Sequence, residues 1–113
     1  MLETIFGNQT AAKIMLYLFH YGEAYANGVA KDMSITLSQV QKQLDKFEVA
    51  GILISKKFGT TRLYQFNPKL GVVKKIKELV GVFYDSIPLI EREKIFSERR
   101  RPRRRGKTVI KNK

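Results

Sequence analysis

The stretch that most constrains the fold runs from Thr36 to Gly51, TLSQVQKQLDKFEVAG. Its apolar residues recur at helical spacing and share one side of a helix: Leu37, Val40, Leu44 and Phe47. Thr36 lies where an N-cap is expected, and Gln39 follows three residues later as in a capping box. Gly51 can end a helix in the left-handed conformation. We therefore predict an amphipathic helix whose two ends are both marked in the sequence.

The opposite side of this helix is rich in amides and lysines. It carries Ser38, Gln39, Lys42, Asp45 and Lys46, with Gln41 and Gln43 on its flanks. Glutamine can pair with the major-groove edge of adenine, and lysine can bind guanine or a phosphate. The same composition is equally typical of a solvated helix face. The helix alone leaves both interpretations open.

Composition narrows the chemistry of the chain. Its 113 residues and 43% hydrophobic content fit one domain with a small core, which a partner subunit would help to cover. The sequence has no cysteine and a single histidine, His20. This excludes disulfides, zinc clusters and thiol redox chemistry, and we expect no metal site and no cofactor. We interpret His20 as a packed or capping residue.

Positive charge is concentrated at the end of the chain. Residues 98–113 carry a net charge of +8 out of the total of +12. The segment contains a proline-interrupted basic run: Arg99, Arg100, Arg101, Arg103, Arg104, Arg105 and Lys107. Such a run is too charged to fold alone, so we predict a folded domain over 1–97 and a disordered tail over 98–113. A polyanion is the expected partner, and nucleic acid is favoured over a membrane because no amphipathic basic helix accompanies the run.

The sequence shows neither a signal segment nor a membrane span. Its longest apolar runs, Ile14 to Phe19 and Leu79 to Tyr84, are far shorter than a bilayer requires. The expected location is therefore the cytoplasm, in association with the nucleoid.

The remaining helical patterns surround the central helix. Residues Tyr25 to Met33 predict a short helix only three residues before Thr36, which is the spacing of a helix-turn-helix. Patterns over Gln9–Tyr21 and Lys69–Tyr84 are apolar on more than one face, which predicts a homodimer through these two helices. The alternative is that the two helices bury each other. A further short helix is predicted from Ser86 through Phe96, ending by Pro102.

After Gly51 the periodicity changes from helical to extended. Residues Ile52–Lys57 and Arg62–Phe66, joined by a turn at Phe58–Thr61, predict a β-hairpin. Its tip and flanks are basic and hydroxylated: Lys56, Lys57, Thr60, Thr61 and Arg62. A tip of this composition can follow a phosphate backbone or enter a minor groove. It can also be merely a soluble turn.

In this order of elements the chain resembles the winged helix-turn-helix transcription regulators, particularly the ArsR-like and MarR-like groups. The resemblance covers about residues 8–84 and depends on two strings, YANGVAKDMSITLSQVQKQLDKFEVAGIL and KKFGTTRLYQFNP. It implies an α+β, mainly α fold, with a two-stranded β-hairpin wing, a C-terminal helix and, as an addition in this chain, the basic tail. The cysteine and histidine ligands of metal-sensing members are absent from the sequence.

The resemblance also implies roles for individual residues. It implies a dimer whose recognition helices enter the major groove of double-stranded DNA. The positions that correspond to base-contacting residues are Ser38, Gln39, Gln41 and Lys42. The positions that correspond to wing contacts are Lys56, Lys57, Thr60, Thr61 and Arg62, and we add Lys46 as a residue beside a phosphate.

The leading functional hypothesis is a sequence-specific regulator that binds double-stranded DNA. One alternative is an RNA- or ribosome-binding protein that uses the arginine-rich tail. Another is an antitoxin-like module that binds a protein partner. An enzyme is not expected, because the carboxylates are scattered, no second histidine exists and no glycine-rich phosphate loop follows a strand.

Overall fold

A computed structural model describes residues 1–96. This part of the chain forms the following helices and strands: α1 (Leu2–Phe6), α2 (Gln9–Tyr21), β1 (Ala24–Tyr25), α3 (Ala26–Met33), α4 (Leu37–Val49), β2 (Leu53–Phe58), β3 (Thr61–Phe66), α5 (Gly71–Ser86) and α6 (Leu89–Phe96). The fold is mainly helical, as predicted. The basic run and the predicted helix end at Pro102 lie outside the described residues. Within residues 1–96, no helix is long and apolar enough to cross a membrane.

Helix α2 forms the centre of the core. The side chain of Asn8 caps its start by accepting a hydrogen bond from the backbone N–H of Ala11 at 2.8 Å. Gly22 ends it with a φ of 83°. Most of its apolar side chains are buried: Ala11, Ala12, Ile14, Met15, Tyr17 and Leu18. Because the chain itself covers these side chains, α2 offers little of the apolar surface that a second subunit would need.

Helices α3 and α4 form the predicted helix-turn-helix. Ser34, with a φ of 57°, ends α3, and the Thr36 hydroxyl accepts a hydrogen bond from the Gln39 backbone N–H at 3.3 Å. At the other end of α4, Gly51 has a φ of 85°. Its N–H donates to the Glu48 carbonyl, and the next N–H, of Ile52, donates to the Phe47 carbonyl, both at 3.0 Å. This pair of bonds is a Schellman motif, the left-handed helix end that the glycine predicts.

The buried face of α4 differs from the prediction at two positions. Leu37, expected in the core, is 48% exposed, whereas Gln43, expected on a polar flank, is only 7% exposed. The Gln43 carbonyl oxygen accepts a hydrogen bond from the Asn8 side-chain amide at 3.1 Å. Because Asn8 supplies this partner, the amide of Gln43 can be buried. Leu37 is the first residue of α4, and the other three predicted core residues of the helix, Val40, Leu44 and Phe47, are buried.

The sheet has three strands rather than the two predicted. Strands β2 and β3 form the expected hairpin, and Gly59, with a φ of 63°, occupies the first position of its two-residue turn. Strand β1 adds to the outer edge of β3 through the pairs Ala24 with Tyr64 and Tyr25 with Leu63. A strand of two residues is too short to show the alternation by which strands are recognised in a sequence.

Helices α5 and α6 close the fold. Helix α5 begins at Gly71 rather than Lys69, because the Asn67 side chain accepts the Lys69 N–H at 2.9 Å and holds these residues in a turn. Helix α5 packs on α2 so closely that a Cβ at Gly81 would lie 2.8 Å from the Phe19 ring. The His20 ring stacks on Phe96 of α6 at 4.1 Å and hydrogen-bonds the Tyr84 hydroxyl at 2.6 Å.

Candidate nucleic-acid interface

The outward half of α4 is polar and open to solvent. Ser38, Gln39, Lys42 and Lys46 are all exposed, as their spacing predicts. The helix begins directly after the short turn at residues 34–36, and the polar side of its first two turns is open to solvent. This is the geometry in which the N-terminal part of a helix can enter a groove.

Gln41 is the exception among the residues predicted to contact bases. It is half-buried, and its side-chain nitrogen donates to the Tyr64 hydroxyl and to the Asp45 carboxylate, both at 3.0 Å. Tyr64 belongs to β3 and is buried. Gln41 therefore connects α4 to the sheet and also lies beside the predicted contact surface.

The wing is held against α4 by a chain of polar contacts. Arg62 donates to the Ser55 hydroxyl at 3.1 Å, and Ser55 in turn donates to the Glu48 carboxylate at 2.7 Å. Ser55 lies on β2 and Glu48 on α4. The guanidinium of Arg62 thus has a defined position on the wing. The other predicted wing residues, Lys56, Lys57, Thr60 and Thr61, are exposed.

A cleft of about 470 Å³ separates the first half of α4 from the wing. Its lining residues come from β1, α3, α4 and the hairpin: Tyr25, Ala26, Asn27, Leu37, Gln41, Lys57, Thr60, Thr61, Arg62 and Tyr64. None of these described lining residues is acidic and two are cations, Lys57 and Arg62, so the composition of the cleft favours an anionic ligand. The structure thus brings Gln41 together with four of the five predicted wing residues.

Five lining residues were not predicted from the sequence as parts of the site: Tyr25, Ala26, Asn27, Leu37 and Tyr64. Tyr25 reaches the cleft because β1 pairs with β3, and this strand left no periodic signal. Leu37 was assigned to the core. Its position directly after the N-cap could have indicated its exposure, because the first residue of a helix lies next to the preceding turn.

The cations of this surface have no acidic partners within residues 1–96. The ion pairs in this part of the chain join the N-terminal amine to Glu3 and Lys75 to Glu78, and both lie on other helices. The lysines of α4 and the wing are therefore available to bind an external anion. Residues 1–96 also contain no group of three or more potential ligands that could hold a metal ion. The tail residues predicted to bind phosphate lie beyond the described range.

Comparisons with solved structures identify the fold. Over 74% of this chain and 84% of that protein, the structure resembles reduced HlyU from Vibrio cholerae, with a TM-score of 0.59 and 19% identity. It also resembles the homodimeric winged helix-turn-helix DNA-binding domain of Mb0332 from Mycobacterium bovis, a possible ArsR-family regulator. That match covers 76% of this chain and 77% of that one, at a TM-score of 0.56 and 20% identity.

A MarR-family transcriptional regulator from Rhodococcus matches 86% of the chain and 75% of its own length, with a TM-score of 0.54 and 14% identity. No family model and no curated protein matches the sequence. At these identities the comparisons establish the fold, which is the winged helix-turn-helix predicted from the sequence.

Proposed function

We propose that this winged helix-turn-helix protein is a transcription regulator that binds double-stranded DNA sequence-specifically. The observation that carries the proposal is the continuous surface formed by the outward half of α4 and the wing. Its lysines and arginine make no ion pairs within the described chain, and its cleft has no acidic lining residue. Such a surface is complementary to a phosphate backbone on both sides of an inserted helix.

Different parts of the surface contribute affinity and specificity. Ser38, Gln39, Gln41 and Lys42 contact base edges in the major groove, each good contact discriminating by about 1–3 kcal/mol. Backbone phosphates are bound by Lys46 and by the wing residues Lys56, Lys57, Thr60, Thr61 and Arg62. The tail over 98–113 adds sequence-independent attraction. The protein acts in the cytoplasm, on the nucleoid, and needs no cofactor.

The decisive experiment is selection of binding sites from random duplex DNA by the full-length protein. Enrichment of one motif supports the proposal, and enrichment of none contradicts it. Competition with structured RNA at fixed salt separates this proposal from the RNA-binding alternative. A regulator specific for duplex DNA should keep its duplex, whereas an RNA-binding protein should exchange the duplex for the RNA. Co-purification with a protein partner and no nucleic-acid affinity would instead favour the antitoxin-like alternative.

Salt dependence tests whether the tail contributes affinity and α4 contributes specificity. The logarithm of affinity falls with the logarithm of salt concentration by about 0.9 per phosphate neutralised. Removal of residues 98–113 should flatten this slope and leave the preferred motif unchanged. If the truncated protein instead loses the motif and keeps the slope, the tail contributes specificity and the assignment is wrong.

The regulator acts as a homodimer. Helix α5 exposes three apolar side chains within one stripe, Val72, Leu79 and Val82, at 64%, 39% and 66%. Helix α2, the other predicted dimer helix, is largely covered by its own chain, so α5 supplies the main contact. A two-fold dimer would place two recognition helices about 34 Å apart and bind a near-palindromic site. A single asymmetric half-site in a footprint would contradict this arrangement.

A further inference from the structure

The first helical residue of the recognition helix is an exposed leucine. Leu37 follows the N-cap Thr36 directly and is 48% exposed. It lines the cleft between α4 and the wing, beside the cationic side chains of Lys57 and Arg62. An exposed leucine among cations does not contribute to the core, and its place at the tip of the helix puts it where base edges are met.

Gln41 lies one turn after Leu37 and lines the same cleft. Its amide orientation follows from its partners, because the Asp45 carboxylate can only accept and must therefore face the Gln41 NH₂ group. The same nitrogen also donates to the Tyr64 hydroxyl. Both N–H bonds of the amide are thus used inside the protein. The carbonyl oxygen is the group that remains for an external ligand.

We propose that Leu37 and Gln41 form one specificity-determining pair, in which Leu37 contacts the C5-methyl group of a thymine and Gln41 accepts a hydrogen bond from a neighbouring exocyclic amino group. The amino group is N6 of adenine or N4 of cytosine, the two donors that the major groove presents. Because both N–H bonds of Gln41 are engaged, its amide cannot form the bidentate pair with adenine. Gln41 therefore selects any base that presents an amino group in the major groove, adenine or cytosine, rather than one of the two.

Charge decides what occupies the cleft. An apolar patch for a protein partner is usually bordered by mixed charges, whereas every charged residue lining this cleft is a cation: Lys57 and Arg62. The thymine methyl group is the one apolar group on the major-groove edge of DNA, and it lies within a polyanion. A DNA strand therefore satisfies both the leucine and the cations around it. This inference rests on the proposed function.

The test uses the full-length protein and the selected duplex, with one thymine at a time replaced by deoxyuridine. This replacement removes one methyl group and keeps base pairing. For the wild type, binding measured by fluorescence anisotropy at fixed salt should weaken about fourfold at one thymine in each half-site, the effect of one buried methyl group. For Leu37→Ala the penalty at that position should disappear.

Val49→Ala is the matched control, since Val49 is an apolar residue of the same helix, 90% exposed and outside the cleft. The Val49→Ala protein should keep the full penalty.

Gln41 is tested at the neighbouring base pairs. Where the contacted base is adenine, it is replaced by purine deoxyribonucleoside, which lacks the N6 amino group. This replacement should weaken binding by the wild type about fivefold more than it weakens binding by Gln41→Ala. Where it is cytosine, replacement by 2-pyrimidinone deoxyribonucleoside, which lacks the N4 amino group and adds no methyl group, provides the equivalent comparison. Val49→Ala, the control already used for Leu37, lies outside the cleft and should respond like the wild type.

The outcomes are distinct. Loss of the methyl penalty in Leu37→Ala alone, together with loss of the amino-group dependence in Gln41→Ala, supports the pair. A penalty that persists in Leu37→Ala, or no penalty at any thymine in the wild type, overturns it while the proposed function stands. If selection enriches no duplex motif, the proposed function and this inference fail together. Far-UV circular dichroism of each variant confirms that the fold is intact.

Discussion

At the scale of single residues, Gly51 is a position where backbone conformation favours glycine. Its φ of 85° lies in the left-handed region, and an added Cβ would approach the Leu70 side chain to 3.3 Å. Gly51→Ala should lower the free energy of unfolding by about 1–2 kcal/mol, because an L-residue is strained there. Urea unfolding followed by circular dichroism measures the change.

Gly71→Ala provides the control for Gly51. Gly71 begins α5 without a positive φ, and no other atom lies within 4 Å of the position of an added Cβ. Alanine at Gly71 should leave stability unchanged or raise it by up to about 1 kcal/mol, since it favours the helix. Equal losses at both glycines would mean that conformational strain does not explain the role of Gly51.

Asn8 has two roles, both of which alanine removes and aspartate can keep. Its carbonyl oxygen caps α2, and its amide nitrogen donates to the buried Gln43. Asn8→Ala should cost about 2 kcal/mol, since it removes a cap worth about 1 kcal/mol and leaves a buried amide without its partner. Asn8→Asp keeps the cap, and Gln43 can turn its NH₂ group toward the new carboxylate. Thermal or urea unfolding should therefore place Asn8→Asp close to the wild type. A loss as large as that of alanine would show that the carboxylate replaces neither the cap nor the contact with Gln43.

Individual residues also mark the limit of prediction from the sequence. Caps were predictable because Thr36 and Gly51 act on neighbouring backbone groups, within reach of a local pattern. The burial of Gln43 was not predictable, because its partner Asn8 lies 35 positions away in the sequence. Periodicity identifies which side of a helix is apolar, but it does not show where the rest of the chain stops covering that side, and Leu37 at the start of α4 is left exposed.

At the scale of secondary-structure elements, Ser55 joins the wing to helix α4. Its hydroxyl donates to Glu48 of α4 at 2.7 Å and accepts from Arg62 of β3 at 3.1 Å. Ser55→Ala should lower the free energy of unfolding by about 1 kcal/mol, the usual value for a partly buried hydrogen bond. Combined with Glu48→Gln, the loss should be smaller than the sum of the two single losses, because both substitutions affect one contact.

Thr61→Ala is the control for Ser55. The Thr61 hydroxyl donates to the Phe58 carbonyl within the exposed turn and does not connect two elements. We expect its loss to cost less than about 0.5 kcal/mol, as for most surface substitutions. Additive losses for Ser55→Ala and Glu48→Gln would contradict the proposed connection, and the wing would then be positioned by strand pairing alone.

The elements themselves were largely predictable, and the exceptions share a cause. Helix α2 has the predicted bounds, and the hairpin has the predicted strands to within a residue, because periodicity, turns and caps agree over long segments. Strand β1 exists only through its pairing with β3, so no property of Ala24 and Tyr25 alone indicates it. The cleft beside the wing was missed for the same reason, since Tyr25 reaches it through that pairing.

At the scale of the whole molecule, the distribution of charge and of apolar surface separates two faces. The outward half of α4 and the wing carry unpaired cations, whereas α5 exposes the apolar stripe of Val72, Leu79 and Val82. The sequence predicted the cationic face because charges are visible in it. It predicted α2 and α5 equally as dimer helices, since both are apolar over a wide arc, and only the packing of α2 in the core distinguishes them.

The dimer proposed on α5 is tested by a charge in its apolar stripe. Val82 is 66% exposed, so glutamate at this position should not disturb the fold of the monomer. In a two-fold interface Val82→Glu would bring two carboxylates into an apolar contact, at a cost of several kcal/mol. Analytical ultracentrifugation should show a dimer for the wild type and a monomer for Val82→Glu, with unchanged far-UV circular dichroism.

Val49→Glu is the control for the dimer, because Val49 is the most exposed large apolar residue of the described chain, at 90%, and lies on α4 instead. It should leave the dimer intact. Since a near-palindromic site is bound by both recognition helices at once, Val82→Glu should also weaken binding to the full site far more than binding to a half-site. A Val82→Glu protein that remains dimeric would place the interface elsewhere, and equal weakening on both duplexes would show that the subunits do not bind DNA together.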